Sequence, residues 1–346
     1  MVRRSWVLFA AMCVIWGVPY LLIRIAVRDL EPGTLVFART AIGGLVLLPF
    51  ALRSGGFGPV LRRWRPLVAF TVLELAVPWL LLSDAERTLS SSFTGMLVAA
   101  VPLVGVVVAQ LLRSDDRGGG PLRYVGLLLG IVGVAMLLGL DFGDVHAGAV
   151  VEMGIVAIGY AVAPVVMARR LADLPSIPVV AASLLLAALG YLPYAVLRPP
   201  HDVSAEVAWS VIGLALICTA LAFIVFFALI GAIGPSRATV ITYVNPAVAL
   251  LLGVTLLGER VTAGMAVGFP LILIGSVLAA RTGAARRRAA PAAECASPEA
   301  NVAELAAEGS VDADVAAGGA EGRGHDAAVT SGRGEPLDLD PIQRLA

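Results

Sequence analysis

Residues 207–230 read VAWSVIGLALICTALAFIVFFALI and contain no charged side chain. A helix rises about 1.5 Å per residue, so about 20 mostly apolar residues cross the roughly 30 Å hydrocarbon layer of a bilayer. This stretch predicts a membrane-spanning helix, and similar segments recur on both sides of it. Between charged or Gly/Pro-rich breaks there are ten: 6–27, 34–52, 66–83, 93–112, 122–140, 148–168, 177–197, 207–230, 238–257 and 263–280. The first is too long for the apolar region of a signal peptide and has no convincing cleavage site, so it is read as a retained span. Composition agrees: at 59% hydrophobic residues and a mean hydropathy of +0.90, the 346-residue chain has more apolar surface than a soluble core could hide.

The formal net charge of zero is the sum of two unlike parts. Residues 289–346 hold eleven Asp or Glu against three Arg, a net of −8, and residues 1–288 carry the compensating +8. The excess Arg lies in short loops beside apolar segments, where membrane orientation accounts for it, and no nucleic acid partner is expected. With the amino terminus inside, sixteen Arg fall in cytoplasmic segments. Only Arg28, Arg87, Arg198 and Arg260 fall in outer loops. An even number of spans then puts both termini in the cytoplasm, as expected for a multi-pass protein of a bacterial inner membrane. All 25 basic residues are Arg, so no P-loop lysine and no Schiff base can form. Cys13, Cys218 and Cys295 show no metal-binding or disulfide spacing and are read as structural, and no cofactor is expected.

The chain repeats itself. Val101-Pro102 followed by Asp115 matches Asn245-Pro246 followed by Glu259, an offset of 144 residues with each acid thirteen residues after its proline. Beyond each acid lies a glycine-marked helix, with Gly126, Gly130 and Gly133 in the first and Gly264, Gly268 and Gly275 in the second, a pattern that lets helices approach closely. Five spans per repeat is an odd number, so the halves enter the membrane in opposite senses. The expectation is an all-α integral membrane protein of ten transmembrane helices, arranged as two inverted five-helix repeats, 1–141 and 142–282. The Ala-, Gly- and acid-rich remainder, 283–346, lacks aromatics and reads as a disordered cytoplasmic tail.

Over residues 6–282 the sequence resembles the drug/metabolite transporter superfamily, and within it the EamA-like ten-helix exporters with two homologous five-helix halves. The resemblance rests on Trp16-Gly17 with Arg24 eight positions after the Trp, on Pro32 followed by Arg39, and on Pro246 with Leu257-Gly258-Glu259-Arg260 and Thr262. It implies a structural or gating role for Arg24 and Arg39. Gln110-Leu111-Leu112-Arg113 with Asp115 departs from the Gly-Glu ending usual in the first half. The first span lacks the membrane glutamate through which the related small multidrug branch couples to protons, so proton coupling stays open.

Polar residues within the spans are the candidate site. Glu74 sits near the middle of the third, where an ionised side chain costs about 2.5–3.5 kcal/mol, and Pro78 follows one turn later. It can bind a cation or a proton, or be a neutral carboxyl bonded between helices. Arg24 and Arg39 lie toward the outer ends of neighbouring helices, placed to snorkel, to line an outer vestibule, or to pair with Glu74. Trp16 and its counterpart Tyr160 could form aromatic walls of a central cavity. Asn245 and Thr242 share a face of the ninth span, and Pro78, Pro102 and Pro246 break backbone hydrogen bonding within their helices. Glu259 and Asp115 read as capping or loop-pairing residues. With no HExxH, nucleophile elbow or phosphate loop, no enzyme is expected. The reading is a secondary carrier of small solutes (amino acids, related metabolites or drugs), most consistent with export by rocking of the two halves. The alternative is a non-transporting membrane scaffold or sensor acting through its tail.

Overall fold

All ten expected segments are helical in the computed structural model. It describes residues 2–111, 121–139, 146–238 and 240–289, with the backbone alone at 2, 3, 235, 236 and 280–289. Eight helices are long and apolar enough to cross a membrane: α1 (Arg4–Ala26), α2 (Pro32–Arg53), α3 (Trp64–Ala85), α4 (Ser91–Leu111), α5 (Pro121–Gly139), α6 (Ala147–Leu171), α7 (Ser176–Leu197) and α8 (Ala205–Ile233). Two shorter apolar helices follow, α9 (Ile241–Leu257) and α10 (Ala263–Ala279). There is no strand among the described residues. The helix containing α10 continues as backbone to Ala289, so helix covers 283–289, where the sequence predicted the start of the tail. The rest of the expected tail, 290–346, lies outside the described residues, as do Asp115 and the Gly118-Gly119-Gly120 run.

Large apolar side chains face outward along the helices. Leu45, Leu128, Ile131, Leu189, Leu251 and Ile274 are all exposed, Leu128 by 64%. In water such a surface would aggregate; in lipid it is the ordinary exterior. Polar contacts instead gather at the two ends of the helices. At the end away from the amino terminus, the distal end, Arg28 pairs with Glu206 at 3.4 Å and Arg87 with Glu31 at 3.3 Å, while Asp29 accepts from the Ser204 hydroxyl at 2.6 Å. At the opposite, proximal end Arg63 forms a two-pronged pair with Asp173 at 2.6 and 2.7 Å and also donates to the Arg170 carbonyl. Arg123 lies in the first turn of α5, buried, with Nη2 donating to the Val106 carbonyl of α4 at 3.2 Å.

Helices of the first five pack mainly on helices of the second five: α5 on α10 most extensively, then α2 on α7, α3 on α6, α4 on α9 and α1 on α8. The α5–α10 contact is built on glycine. A Cβ on Gly275 would stand 2.6 Å from the Gly126 carbonyl oxygen and 2.7 Å from Gly130 Cα, and one on Gly133 would stand 2.7 Å from the Ile272 nitrogen. These obstacles are backbone and cannot rotate away. Gly275→Ala is therefore expected to destabilise the purified protein by about 1–3 kcal/mol, read as a lower thermal-unfolding midpoint in detergent. Gly105→Ala, where nothing lies within 4 Å of the added Cβ, serves as the control and should leave the midpoint in place.

Candidate functional site

Three prolines, Pro19, Pro78 and Pro102, mark irregular turns in their helices, Pro246 lies inside a continuous one, and near each of them a side chain donates to a backbone carbonyl. Pro78 has no N–H and its ring crowds the Glu74 carbonyl, so α3 widens into a π turn over Val72–Ala76. Tyr191 of α7 donates its hydroxyl to the Ala76 carbonyl at 3.0 Å. Ahead of Pro102, α4 breaks at Ala99–Ala100, and the Ser276 hydroxyl of α10 donates to the Ala99 carbonyl at 3.2 Å. In α1 the break before Pro19 coincides with Trp16-Gly17-Val18. There Asn245, the residue before Pro246 of α9, bridges two helices. With its amide turned so that Nδ2 faces the carbonyls, it donates to Ile241 at 3.0 Å and to Cys13 of α1 at 3.3 Å. In hydrocarbon this accounting is obligatory, because no water is present to take an orphaned carbonyl.

Arg39 occupies the centre of this arrangement. It is 7% exposed, its guanidinium lies 3.6 Å over the Trp79 ring of α3, and Nε donates to the Thr219 hydroxyl of α8 at 2.8 Å. Thr219 in turn donates to the Leu214 carbonyl at 2.8 Å, inside a second π turn, Leu216–Leu221. Among the described residues no carboxylate pairs with Arg39 and nothing accepts from its Nη1–Nη2 fork. A desolvated cation–π contact contributes about 2 kcal/mol and a charged hydrogen bond about 1.5–3. Burying a charge costs several kcal/mol even after relaxation, so Arg39 is left short of one anion. Tyr160 of α6 meets the Trp79 side chain through its hydroxyl and lies within electrostatic reach of Arg39 and Glu74 alike. Glu74, inside the α3 π turn, is half-buried, and its enclosed Oε2 has no hydrogen-bond partner.

The aromatic contacts recur 144 residues apart. Trp16 of α1 stands edge-on to Phe223 of α8, ring centroids 6.3 Å apart, and tilts against Phe226 at 4.7 Å. Adding 144 turns Trp16 into Tyr160, and Trp79 into Phe223, so Trp16–Phe223 and Tyr160–Trp79 are equivalent pairs. The π turns that begin at Val72 and at Leu216 are separated by the same 144.

At the distal end Glu259 ties the end of α9 to the start of α4. Gly258, at φ 67°, ends α9 in the left-handed conformation that favours glycine and aims the next residue across the bundle. The Glu259 carboxylate then accepts from the Ser91 and Ser92 backbone N–H groups at 2.8 and 2.9 Å and from both serine hydroxyls, capping the first turn of α4. Arg24, Arg28, Arg87, Ser90 and Glu259 line an open pocket of about 440 Å³ beside it. Beneath the pocket lies Glu86, the residue that follows α3. It is completely buried, Arg24 donates to its backbone carbonyl, and neither carboxyl oxygen has a hydrogen-bond partner.

Several sequence expectations land elsewhere. Arg39 does not snorkel: its guanidinium turns inward because Trp79 and Thr219 offer it a ring face and a hydroxyl, whereas Arg24 does reach the distal pocket. Neither Arg pairs with Glu74. Trp16 and Tyr160 belong to separate aromatic pairs, and Asn245 holds α9 to α1. Thr242 is exposed on α9. Glu259 caps α4, as its loop position suggested. The sequence reading passed over Trp79, Thr219 and Glu86.

The EamA-like transporter family model matches the chain twice, over residues 4–139 and 149–281. The uncharacterized inner membrane transporter YedA of Escherichia coli (strain K12) is 31% identical over 284 residues, covering 73% of this chain and 82% of its own. The uncharacterized transporter YdfC of Bacillus subtilis (strain 168) is 24% identical over 252 residues, 71% and 80% of the two chains. A crystal structure at 23% identity shares the fold with a TM-score of 0.59, over 83% of this chain and 99% of the other. Helices of membrane-crossing length and a family match over both halves agree, and the chain belongs to the EamA-like transporter family.

Proposed function

We propose that this chain is a ten-span secondary carrier, built from inverted halves 1–141 and 142–282, that moves a small metabolite or drug bearing an anionic group by alternating access. The observation that carries it is the unpaired Arg39 guanidinium, held between two helices that carry equivalent π turns 144 residues apart. Widened turns let helices flex without losing their hydrogen bonds, and irregular backbone at mid-bundle is where carriers of inverted architecture place their solutes. A carboxylate-bearing solute, an amino acid or related metabolite, supplies the anion that the fork lacks, with Trp79, Tyr160 and Glu74 beside it. Arg39 makes the second helix part of the solute site. The Arg distribution supports a cytoplasmic amino terminus, which makes the distal end the periplasmic one and Glu259 its latch. The resemblance to exporters favours outward transport across the inner membrane.

The test is flux in proteoliposomes holding the purified full chain, with labelled alanine, glutamate and phenylalanine and the dye ethidium as probes. Saturable flux of a carboxylate probe above protein-free vesicles is expected. Truncation after residue 289 should leave that rate within about twofold, because the carrier reading assigns the removed residues no part in the pathway. A scaffold acting through its tail would give neither result.

A further inference from the structure

Glu86 is the buried ionisable group for which the Arg39 site gives no account. Its two oxygens are enclosed without a hydrogen-bond donor, so the nearby cations are not solvating it: Arg24 spends its contact on the backbone carbonyl and Arg39 on Trp79 and Thr219. The groups that face it are few. Tyr20 and Arg24 come from α1, Arg39 from α2, and Glu259 from the corner between α9 and α10. On its own helix, Trp79, Ser83 and Glu86 lie one turn apart on a single face, which runs from the guanidinium to the distal latch. A naked carboxylate in such a place costs several kcal/mol, whereas the protonated acid costs far less. Burial pushes the carboxyl well above its usual range, the Glu259 charge adds to this, and Arg24 and Arg39 oppose it.

We propose that Glu86 is the carrier's proton-binding site, and that its proton and the solute's anionic group bind together. This deepens the carrier reading and rests on it. The argument is one of charge. Arg24 and Glu259 are opposite charges at the same end, which leaves Arg39 as the cation in need of one counter-charge. Ionised Glu86 and a bound carboxylate compete for that role. Together they would leave a net negative charge buried; with Glu86 protonated, the solute's carboxylate neutralises Arg39 and the site is balanced. By linkage, the solute raises the affinity of Glu86 for a proton by the same factor as the proton raises the affinity for the solute. Solute and proton therefore travel in one direction, and export runs down the solute's own gradient.

Two measurements test this. In the first, infrared spectra of the full chain in lipid nanodiscs are recorded as pH is raised. A protonated-carboxyl band is expected at neutral pH that persists in Glu74→Gln, disappears in Glu86→Gln and titrates away in alkali. If Glu86 is ionised at neutral pH, the proposal is wrong whatever the vesicles show. In the second, proteoliposomes enclose the pH dye pyranine and are given the carboxylate probes. Inward solute flux should acidify the wild-type lumen, and in Glu86→Gln the number of protons moved per solute carried should fall at least tenfold. Solute flux without proton movement, proton movement opposite in direction, or acidification that survives Glu86→Gln would each overturn the proton site while leaving the carrier standing. Absence of any solute flux in the wild type would instead count against the carrier reading, and with it the shared binding of solute and proton.

Discussion

Glu259→Ala is expected to expose the buried thiol of Cys218 to a membrane-impermeant maleimide added from the distal side, raising its labelling rate about 10- to 100-fold. Cys218 sits in the α8 π turn beside Thr219, 1% exposed, so the reagent reaches it only when the distal end parts. Glu259 holds that end with four hydrogen bonds to the first turn of α4, all charge-assisted. Each such bond contributes about 1.5–3 kcal/mol in mutational series, but the four share one carboxylate and are partly replaced by water on opening. A net loss of about 1.4–2.8 kcal/mol gives the stated range. Glu259→Gln should fall between, since one amide oxygen still accepts while the NH2 now confronts donors. The measurement needs Cys13→Ser and Cys295→Ser, leaving Cys218 as the sole thiol. An unchanged labelling rate in protein that still folds would show that the distal end is held by something other than this latch.

The latch also shows what a linear reading can supply. Glu259 follows a glycine at a helix end, and the local pattern alone marked it as a capping residue, though its target, 167 and 168 residues earlier, was beyond reach. Helix positions were legible for a similar reason: apolar run length and charged breaks are local properties, and every expected span is met by a helix within a few residues. Of the prolines singled out, Pro78 and Pro102 stand at irregular turns, Pro246 lies inside a continuous helix, and the break before Pro19 was not foreseen, because a missing N–H is written in the residue but the response of the helix is not. Side-chain direction was not. An Arg near the end of an apolar helix can reach either for headgroups or for the interior, and only the arrival of Trp79 from α3 and Thr219 from α8 decides it. Glu86 was hidden by its neighbours, since Asp84-Ala85-Glu86-Arg87 has the composition of a wetted loop. Its burial comes from α1 laying Tyr20 and Arg24 over it. An amide such as that of Asn245 needs partners in hydrocarbon wherever it lies, but which carbonyls lack one depends on where α1 breaks.

Arg39→Met is expected to abolish carboxylate flux, with a loss of at least 100-fold, while leaving the thermal midpoint equal to or above that of the wild type. The two halves of this prediction come from one imbalance. Methionine fills the stem's volume against Trp79 and removes a charge whose contacts do not offset its burial, and replacing buried ionic groups by apolar ones is often neutral or stabilising by about 1–4 kcal/mol. The opposing loss is small: the Thr219 hydroxyl still donates to the Leu214 carbonyl and gives up one acceptor role. Function should fare differently, because the fork that would take the solute's carboxylate is gone. Arg39→Lys separates charge from geometry. An ammonium is a point donor that cannot at once lie flat on the indole, reach Thr219 and present two parallel N–H groups, so flux should be impaired at least tenfold despite the retained charge. A purely structural arginine would show the reverse pattern, with the midpoint falling in Met and largely restored in Lys while flux followed the amount of folded protein. Loss of carboxylate flux from protein as stable as the wild type would mean that the fold tolerates an unpaired buried charge because transport requires it.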